Sequence, residues 1–141
     1  MRLHHFAFFV AVTFVAGCER RRPPDPHAMV QRTMKGVLAY PKSVQVSVSA
    51  GEDAAQVTMT SQDSAGKVAD WFRRSLAAGG WTLTSDVTSA DGSTTISATQ
   101  GKRPLWITFQ RNEGAPGTTY TVIGAVVAGD SVVAQQPREK P

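Results

Sequence analysis

The chain has very little of the side-chain chemistry from which most catalytic and metal sites are built. It contains one cysteine, Cys18, and three histidines, of which His4 and His5 lie in an apolar leader and His27 lies beyond it. A transition-metal site needs several His, Cys or carboxylate ligands at suitable spacing, and a Ser-His-acid triad would have to use His27 beside a proline-rich segment. No Gly-x-Ser-x-Gly elbow and no phosphate loop with its lysine occurs in the sequence. We therefore expect no enzyme, no metal site and no cofactor.

The apolar run near the start is too short to be a membrane span. It extends over residues 6–15 behind Arg2, whereas a spanning helix takes about 20 apolar residues. Such a run followed by small residues is typical of a secretory signal. It ends in Val15-Ala16-Gly17-Cys18, which resembles the lipobox of bacterial lipoproteins at all four positions. The resemblance implies that residues 1–17 are a signal peptide and that the Cys18 thiol carries acyl chains such as palmitate. The alternative is a buried cysteine after an ordinary signal.

The residues after Cys18 predict a membrane address and a tether over 18–26. In the enteric lipoproteins that this segment resembles, an Asp directly after the lipidated Cys favours retention in the inner membrane. Glu19 stands at that position instead, so the resemblance implies an outer-membrane lipoprotein whose domain faces the periplasm. Arg20, Arg21 and Arg22 could contact anionic head groups, each adding about 1 kcal/mol; the alternative is a solvated charge on the tether. The net charge of the full chain is +4, and loss of Arg2 with the signal peptide leaves an excess of three basic residues. Arg20, Arg21 and Arg22 account for that whole excess. We therefore expect no nucleic-acid partner.

The residues beyond the tether predict one α+β domain over 27–128. Apolar and polar residues alternate over six segments, which predicts strands near 44–49, 55–60, 81–87, 94–100, 105–109 and 118–127. Val68, Phe72 and Leu76 recur at helical spacing, which predicts a main helix over about 64–78 with Asp63 as its N-cap. A shorter helix is predicted from His27 to Leu38. We expect an antiparallel sheet of about five to six strands with the main helix packed on one face, and a disordered tail over 129–141.

Several of these local patterns together resemble a known kind of envelope domain. Tyr40-Pro41, a strand pair, Asp63-Ser64 at the helix start and the Leu76 to Trp81 segment are similar to the BamC-like helix-grip domains of small envelope lipoproteins. The resemblance covers roughly residues 40–127. It implies the same α+β architecture but no activity, because most such domains have no assigned activity and no catalytic motif is shared.

One aromatic residue is a candidate for a partner or ligand surface. The fifth predicted strand alternates Leu-Trp-Ile-Thr-Phe-Gln over 105–110, so Trp106, Thr108 and Gln110 point away from the face that the helix covers. An exposed tryptophan on a sheet can anchor a partner. The alternative is that the His27–Leu38 helix or an edge loop covers it, since large aromatic side chains are mostly buried.

Two functional interpretations remain open from the sequence. The first is a non-enzymatic interaction or accessory domain of the envelope, with a possible envelope protein as its partner. The second is a lipoprotein that binds a lipid or glycan fragment in a groove between helix and sheet. A deep apolar pocket would favour the second interpretation, and a filled core with an exposed Trp106 would favour the first.

Overall fold

A computed structural model describes residues 25–127. Its secondary-structure elements are α1 (Pro26–Thr33), β1 (Val44–Ala50), β2 (Ala54–Ser61), α2 (Ala65–Ala78), β3 (Thr82–Thr88), β4 (Thr94–Gln100), β5 (Arg103–Arg111) and β6 (Thr118–Ala125). The predicted signal peptide, Cys18, the three arginines and the predicted tail lie outside the described residues.

The strands form a six-stranded sheet in the order β1-β2-β6-β5-β4-β3. Every neighbouring pair is antiparallel. The predicted α+β class with one antiparallel sheet is therefore confirmed. Because β6 lies between β2 and β5, α2 has to carry the chain from β2 to the far edge of the sheet, where β3 begins. On this path α2 packs against β3, β4, β5 and β6.

Both helices of the described part pack on the same face of the sheet. Phe72 of α2 places its ring 5.6 Å from that of Phe109 and 5.2 Å from that of Tyr120, measured between centroids. Helix α1 lies against Gly124, which shares a face with Tyr120 because side chains alternate along β6. We call this face the helix face. The opposite face, to which Trp106 belongs, is called the open face.

The main helix begins one residue later than its predicted cap suggested. Ser64 is the N-cap, and its hydroxyl accepts a hydrogen bond from the backbone N–H of Lys67 at 3.5 Å. The prediction that Asp63 caps the helix is wrong, because the Asp63 carboxylate accepts hydrogen bonds from other side chains. The predicted buried stripe is observed: the exposed fractions of Val68, Phe72 and Leu76 are 0%, 1% and 2%. Each such side chain contributes about 1.5–3 kcal/mol through its burial.

Helix α1 is shorter than predicted at its C-terminal end. The carboxylate of Asp25 accepts from the backbone N–H of His27 at 3.0 Å, and Pro26 occupies the first turn, where it has no N–H to satisfy. The helix ends at Thr33 rather than at Leu38. The backbone leaves the helical conformation at the C-cap Met34, and Gly36, with a φ of +85°, is incompatible with a helix that continues to Leu38. The residues after Thr33 form a connection to β1 with two turns, closed by hydrogen bonds from the N–H of Val37 to the carbonyl of Met34 and from the N–H of Ser43 to the carbonyl of Tyr40.

The first strand does not present the predicted half-buried valine face. Val44 and Val46 have exposed fractions of 64% and 61%. The register between β1 and β2 shifts between Gln45 and Ser47, which is a β-bulge at Val46. An extra residue in one strand interrupts the alternation from which the face was predicted. Past the bulge the alternation resumes, and Val48 is half-buried opposite Val57.

Candidate functional site

A cavity of about 290 Å³ lies between α1, the connection that follows it, and the helix face at β1, β2 and β6. This volume is close to the lower end of the range of ligand pockets, about 300–1,000 Å³. The sheet and α2 supply one wall of the cavity, and α1 with the connection after it supplies the other. The larger apolar and aromatic side chains of the sheet wall are those of Val57, Met59, Phe72, Tyr120 and Val122. Those of the α1 wall are Val30, Met34, Val37 and Leu38.

The cavity has an apolar interior and a polar mouth. Met59 and Phe72 are buried, with exposed fractions of 8% and 1%. The polar lining residues Gln31, Lys35 and Gln45 are all exposed, so they mark the opening. An apolar group can therefore enter the interior while a polar or anionic end stays among hydrogen-bond donors at the mouth.

Arg103 holds the connection at the mouth in place. Its guanidinium donates from Nη1 to the backbone carbonyl of Lys35 at 3.1 Å. The same guanidinium lies over the indole ring of Trp81, 5.2 Å from its centroid. One edge of the opening is thus attached to the sheet through a residue of β5.

Tyr40 fastens the rest of the connection to the body of the domain. Its backbone N–H donates to the hydroxyl oxygen of Tyr120 at 3.2 Å, and its own hydroxyl donates to Oδ2 of Asp63 at 2.6 Å. The Tyr120 hydroxyl in turn donates to Oγ of Ser43 at 2.9 Å. The Tyr40 ring also packs edge-on against Trp71, with centroids 5.5 Å apart. We call this set of contacts the Tyr40 clasp.

The clasp shifts the acidity of its members in opposite directions. The hydrogen bond to Asp63 raises the pKa of the Tyr40 hydroxyl, and burial adds to the effect. Hydrogen bonds from Lys67, at 2.7 Å from Oδ1, and from Tyr40 lower the pKa of the Asp63 carboxyl. At neutral pH the tyrosine is therefore protonated and the carboxylate ionised, which is the combination that the bond requires. Sequence reasoning missed this contact, because nothing local links two residues that are 23 positions apart.

The open face carries the residues predicted for a partner or ligand surface. Trp106 has an exposed fraction of 40%, and it shares this face with Thr108 and Gln110, as the alternation on β5 predicted. The alternative that the N-terminal helix covers Trp106 is wrong, because α1 packs on the helix face against Gly124. The predicted lipidation site Cys18 and the predicted membrane-contact residues Arg20, Arg21 and Arg22 are outside the described residues.

Residues 25–127 contain neither a candidate metal site nor a candidate membrane-spanning helix. In that range no group of three or more His, Cys, Asp or Glu side chains is placed to hold a metal ion. No helix in the same range combines the length and the apolar character needed to cross a membrane.

Comparison with known proteins gives a family for the chain. The model of a family described as START domain-like matches residues 41–118, which is more than half of the 141 residues. The chain therefore belongs to the START domain-like family. No curated protein and no solved structure matches it. The matched range begins after α1 and ends at the first residue of β6. It therefore includes β1, β2 and α2 but leaves out α1 and the two cavity-lining residues of β6, Tyr120 and Val122.

Proposed function

We propose that this protein is a non-enzymatic binding domain of the bacterial envelope that holds a small amphiphile with one apolar chain. The observation that carries the proposal is the cavity beneath α1, whose apolar walls include the buried side chains of Met59, Phe72 and Val122 and whose exposed polar residues lie at its mouth. Membership of the START domain-like family supports a ligand-binding role. Of the two interpretations that the sequence left open, the cavity favours the small-ligand binder.

The size and the charge of the cavity narrow the ligand class. A volume of about 290 Å³ suits one short apolar chain or the end of a longer one rather than a two-chain lipid. Lys35 at the mouth favours an anionic head group, and Gln31 and Gln45 can bond to its oxygens. A fatty acid or a similar single-chain anion has this combination.

The lipobox supports the second part of the proposal, which is that the domain is tethered to the membrane through Cys18 and faces the periplasm. A tethered domain would meet single-chain amphiphiles at the membrane surface and would not need to diffuse to find them. The alternative role as a protein-interaction domain depends on the open face rather than on the cavity, and the two can be tested separately.

The test is photo-crosslinking of the full-length protein in isolated membranes with a fatty acid that carries a diazirine on its chain. We expect the label to map to cavity-lining peptides from α1 and β2. The variant Val57→Phe places a ring in the cavity and should lower the crosslink yield about tenfold, equivalent to ~1.4 kcal/mol of binding. Val87→Phe makes the same change at an exposed position of β3, outside the cavity, and should leave the yield unchanged.

An equal yield from both variants, or a label spread over the open face, would show that the cavity is not the binding site. Thermal unfolding of both variants, followed by circular dichroism, separates a filled cavity from a damaged fold.

A further inference from the structure

The open face of the sheet carries no charged side chain. The strand registers place its central residues in rows that run across the strands. One row consists of Gln56, Ile123, Trp106 and Ser97, and the next consists of Thr58, Thr121, Thr108 and Thr95. All eight are half-buried or exposed. The charged residues of the strands, Asp86, Arg103 and Arg111, have their register partners on the helix face.

This neutrality is not a general property of the chain. The sequence contains 15 basic and 11 acidic residues, yet β1, β2, β4 and β6 contain none of either sign. The side of the domain that carries the helices has ion pairs such as Lys67–Asp63 and Arg73–Asp86. Exposed sheet positions often carry charged side chains such as Lys. Here the central positions carry Thr, Ser and Gln around Trp106 and Ile123, with the exposed valines Val44 and Val87 on the two edge strands.

The threonines retain hydrogen-bonding capacity toward a ligand. Oγ1 of Thr58 and Oγ1 of Thr121 are 3.3 Å apart, and the corresponding atoms of Thr95 and Thr108 are 3.2 Å apart. In each pair one hydroxyl donates to the other, so the accepting hydroxyl keeps its own proton, and lone pairs remain on both. Because neighbouring strands are about 4.8 Å apart, these hydroxyls form a line of donors and acceptors across the sheet.

We propose that the open face binds a neutral glycan chain, with one sugar ring stacked on Trp106 and its hydroxyls bonded to the threonine row. The C–H face of a sugar ring is apolar and slightly positive, and it packs on the negative face of an indole. Sugar hydroxyls both donate and accept, as the threonine hydroxyls do. An uncharged surface also suits an uncharged ligand, because a charged one would lose hydration there without gaining a counter-charge.

A glycan fits this face better than a protein partner does. The buried centres of protein interfaces are rich in Tyr, Trp, Phe, Met and Arg. The rows around Trp106 supply one aromatic ring, the half-buried Ile123 and, at the β3 edge beside Thr95, the exposed Val87; the other groups are hydroxyls and amides. The rows cross four strands, which favours an extended chain over a single sugar. This proposal does not depend on the cavity on the helix face.

The test is calorimetric titration of the full-length protein, in a detergent without a sugar head group, with chitohexaose and with cellohexaose. Both probes are neutral and extended. We expect saturable binding of at least one probe, and we expect Trp106→Ala to weaken it about tenfold or more. Trp106→Phe should retain part of the affinity because it keeps an aromatic face. Arg74→Ala, at an exposed position of α2 on the opposite side of the sheet, should bind like the wild type.

A second variant protects the test against a folding defect. Thr108→Val keeps the shape of the side chain and removes its hydroxyl, so it should weaken binding severalfold even if Trp106→Ala does not fold. The proposal is overturned if neither probe binds, or if Trp106→Ala and Thr108→Val both bind like the wild type. Trp106-dependent self-association in sedimentation, or Trp106-dependent crosslinks to another protein without glycan binding, would assign the face to a protein interface instead.

Discussion

Gly124 of β6 lies so close to Met34 that no larger residue fits at its position without movement. A Cβ atom on Gly124 would come within 2.8 Å of Cγ of Met34 and 3.1 Å of Cβ of Thr33. The distance between the end of α1 and the sheet is therefore set by the absence of a side chain on β6. Because Met34 is also part of the cavity wall, this contact fixes how far α1 stands from the floor of the cavity.

We expect Gly124→Ala to destabilise the protein by about 1–3 kcal/mol, because an added methyl group would overpack the contact with α1. Gly66→Ala is the matched control: Gly66 lies in α2 with nothing within 4 Å of an added Cβ. That change should stabilise by about 0.4–1 kcal/mol, since alanine restricts the unfolded chain. Urea unfolding measures both. Equal effects at the two positions would contradict the close contact between α1 and β6.

Leu76→Ala should destabilise by about 2–5 kcal/mol, because truncation leaves a cavity in a packed core. The Leu76 side chain has an exposed fraction of 2%, and its backbone carbonyl accepts from the N–H of Trp81 at 2.9 Å. Leu38→Ala makes the same change at an exposed fraction of 62% and should alter stability by less than about 0.5 kcal/mol. A similarly small loss at Leu76, measured by chemical unfolding, would reject the placement of α2.

The Tyr40 clasp predicts a loss of stability in acid. Because the pKa of the Asp63 carboxyl is lowered in the folded protein, its contribution is fully present above the unfolded pKa, about 3.9, and is lost as the pH falls through the folded value. We expect the melting temperature to fall below about pH 4. Asp63→Asn should lower the melting temperature at pH 7 and make this fall shallower.

Part of the acid sensitivity should survive in Asp63→Asn, because the pKa values of Asp86, beside Arg73, and of Asp91, beside Ser93, are lowered as well. Asp53→Asn, in the exposed turn between β1 and β2, serves as the control. If Asp63→Asn and Asp53→Asn have the same pH profile, the clasp does not contribute to stability.

The proposed anchor is tested by Cys18→Ser. A serine hydroxyl is a much weaker nucleophile than a thiolate, so it should not accept the lipid. Labelled palmitate should enter the wild type and an Arg20→Gln control, and it should not enter Cys18→Ser. Mass spectrometry of the N-terminal peptide gives an independent measurement. An unmodified Cys18, or a mature chain that begins elsewhere, would contradict the predicted lipobox and the localisation that depends on it.

The features that were predicted from the sequence are those that depend on near neighbours in the chain. The bounds of β4, Thr94 to Gln100, are as predicted, because alternation over seven residues is a local signal. The buried stripe of α2 follows in the same way from helical spacing. The face of Trp106 was also predictable, since Leu105 and Ile107 beside it had to point to the core.

The features that could not be predicted depend on contacts between distant segments. Asp63 and Ser64 are both good capping residues, and the choice between them follows from the bond that Tyr40 makes with Asp63. The exposure of Val46 follows from a bulge that composition does not reveal. The cavity exists because α1 packs against Gly124, and the position of β6 between β2 and β5 has no local signature at all.

The bulges at the two margins of the sheet affect how copies of this protein behave beside one another. The register of β1 shifts between Gln45 and Ser47, and that of β3 shifts between Leu83 and Ser85, so each edge strand has one irregular position in its ladder. A bulge bends and twists an edge, and its unpaired backbone groups no longer offer an even row to an incoming strand. This matters most at β1, which has no charged residue to repel a neighbour, whereas β3 carries Asp86. Both margins are thereby hindered from templating edge-to-edge polymerisation at high protein concentration.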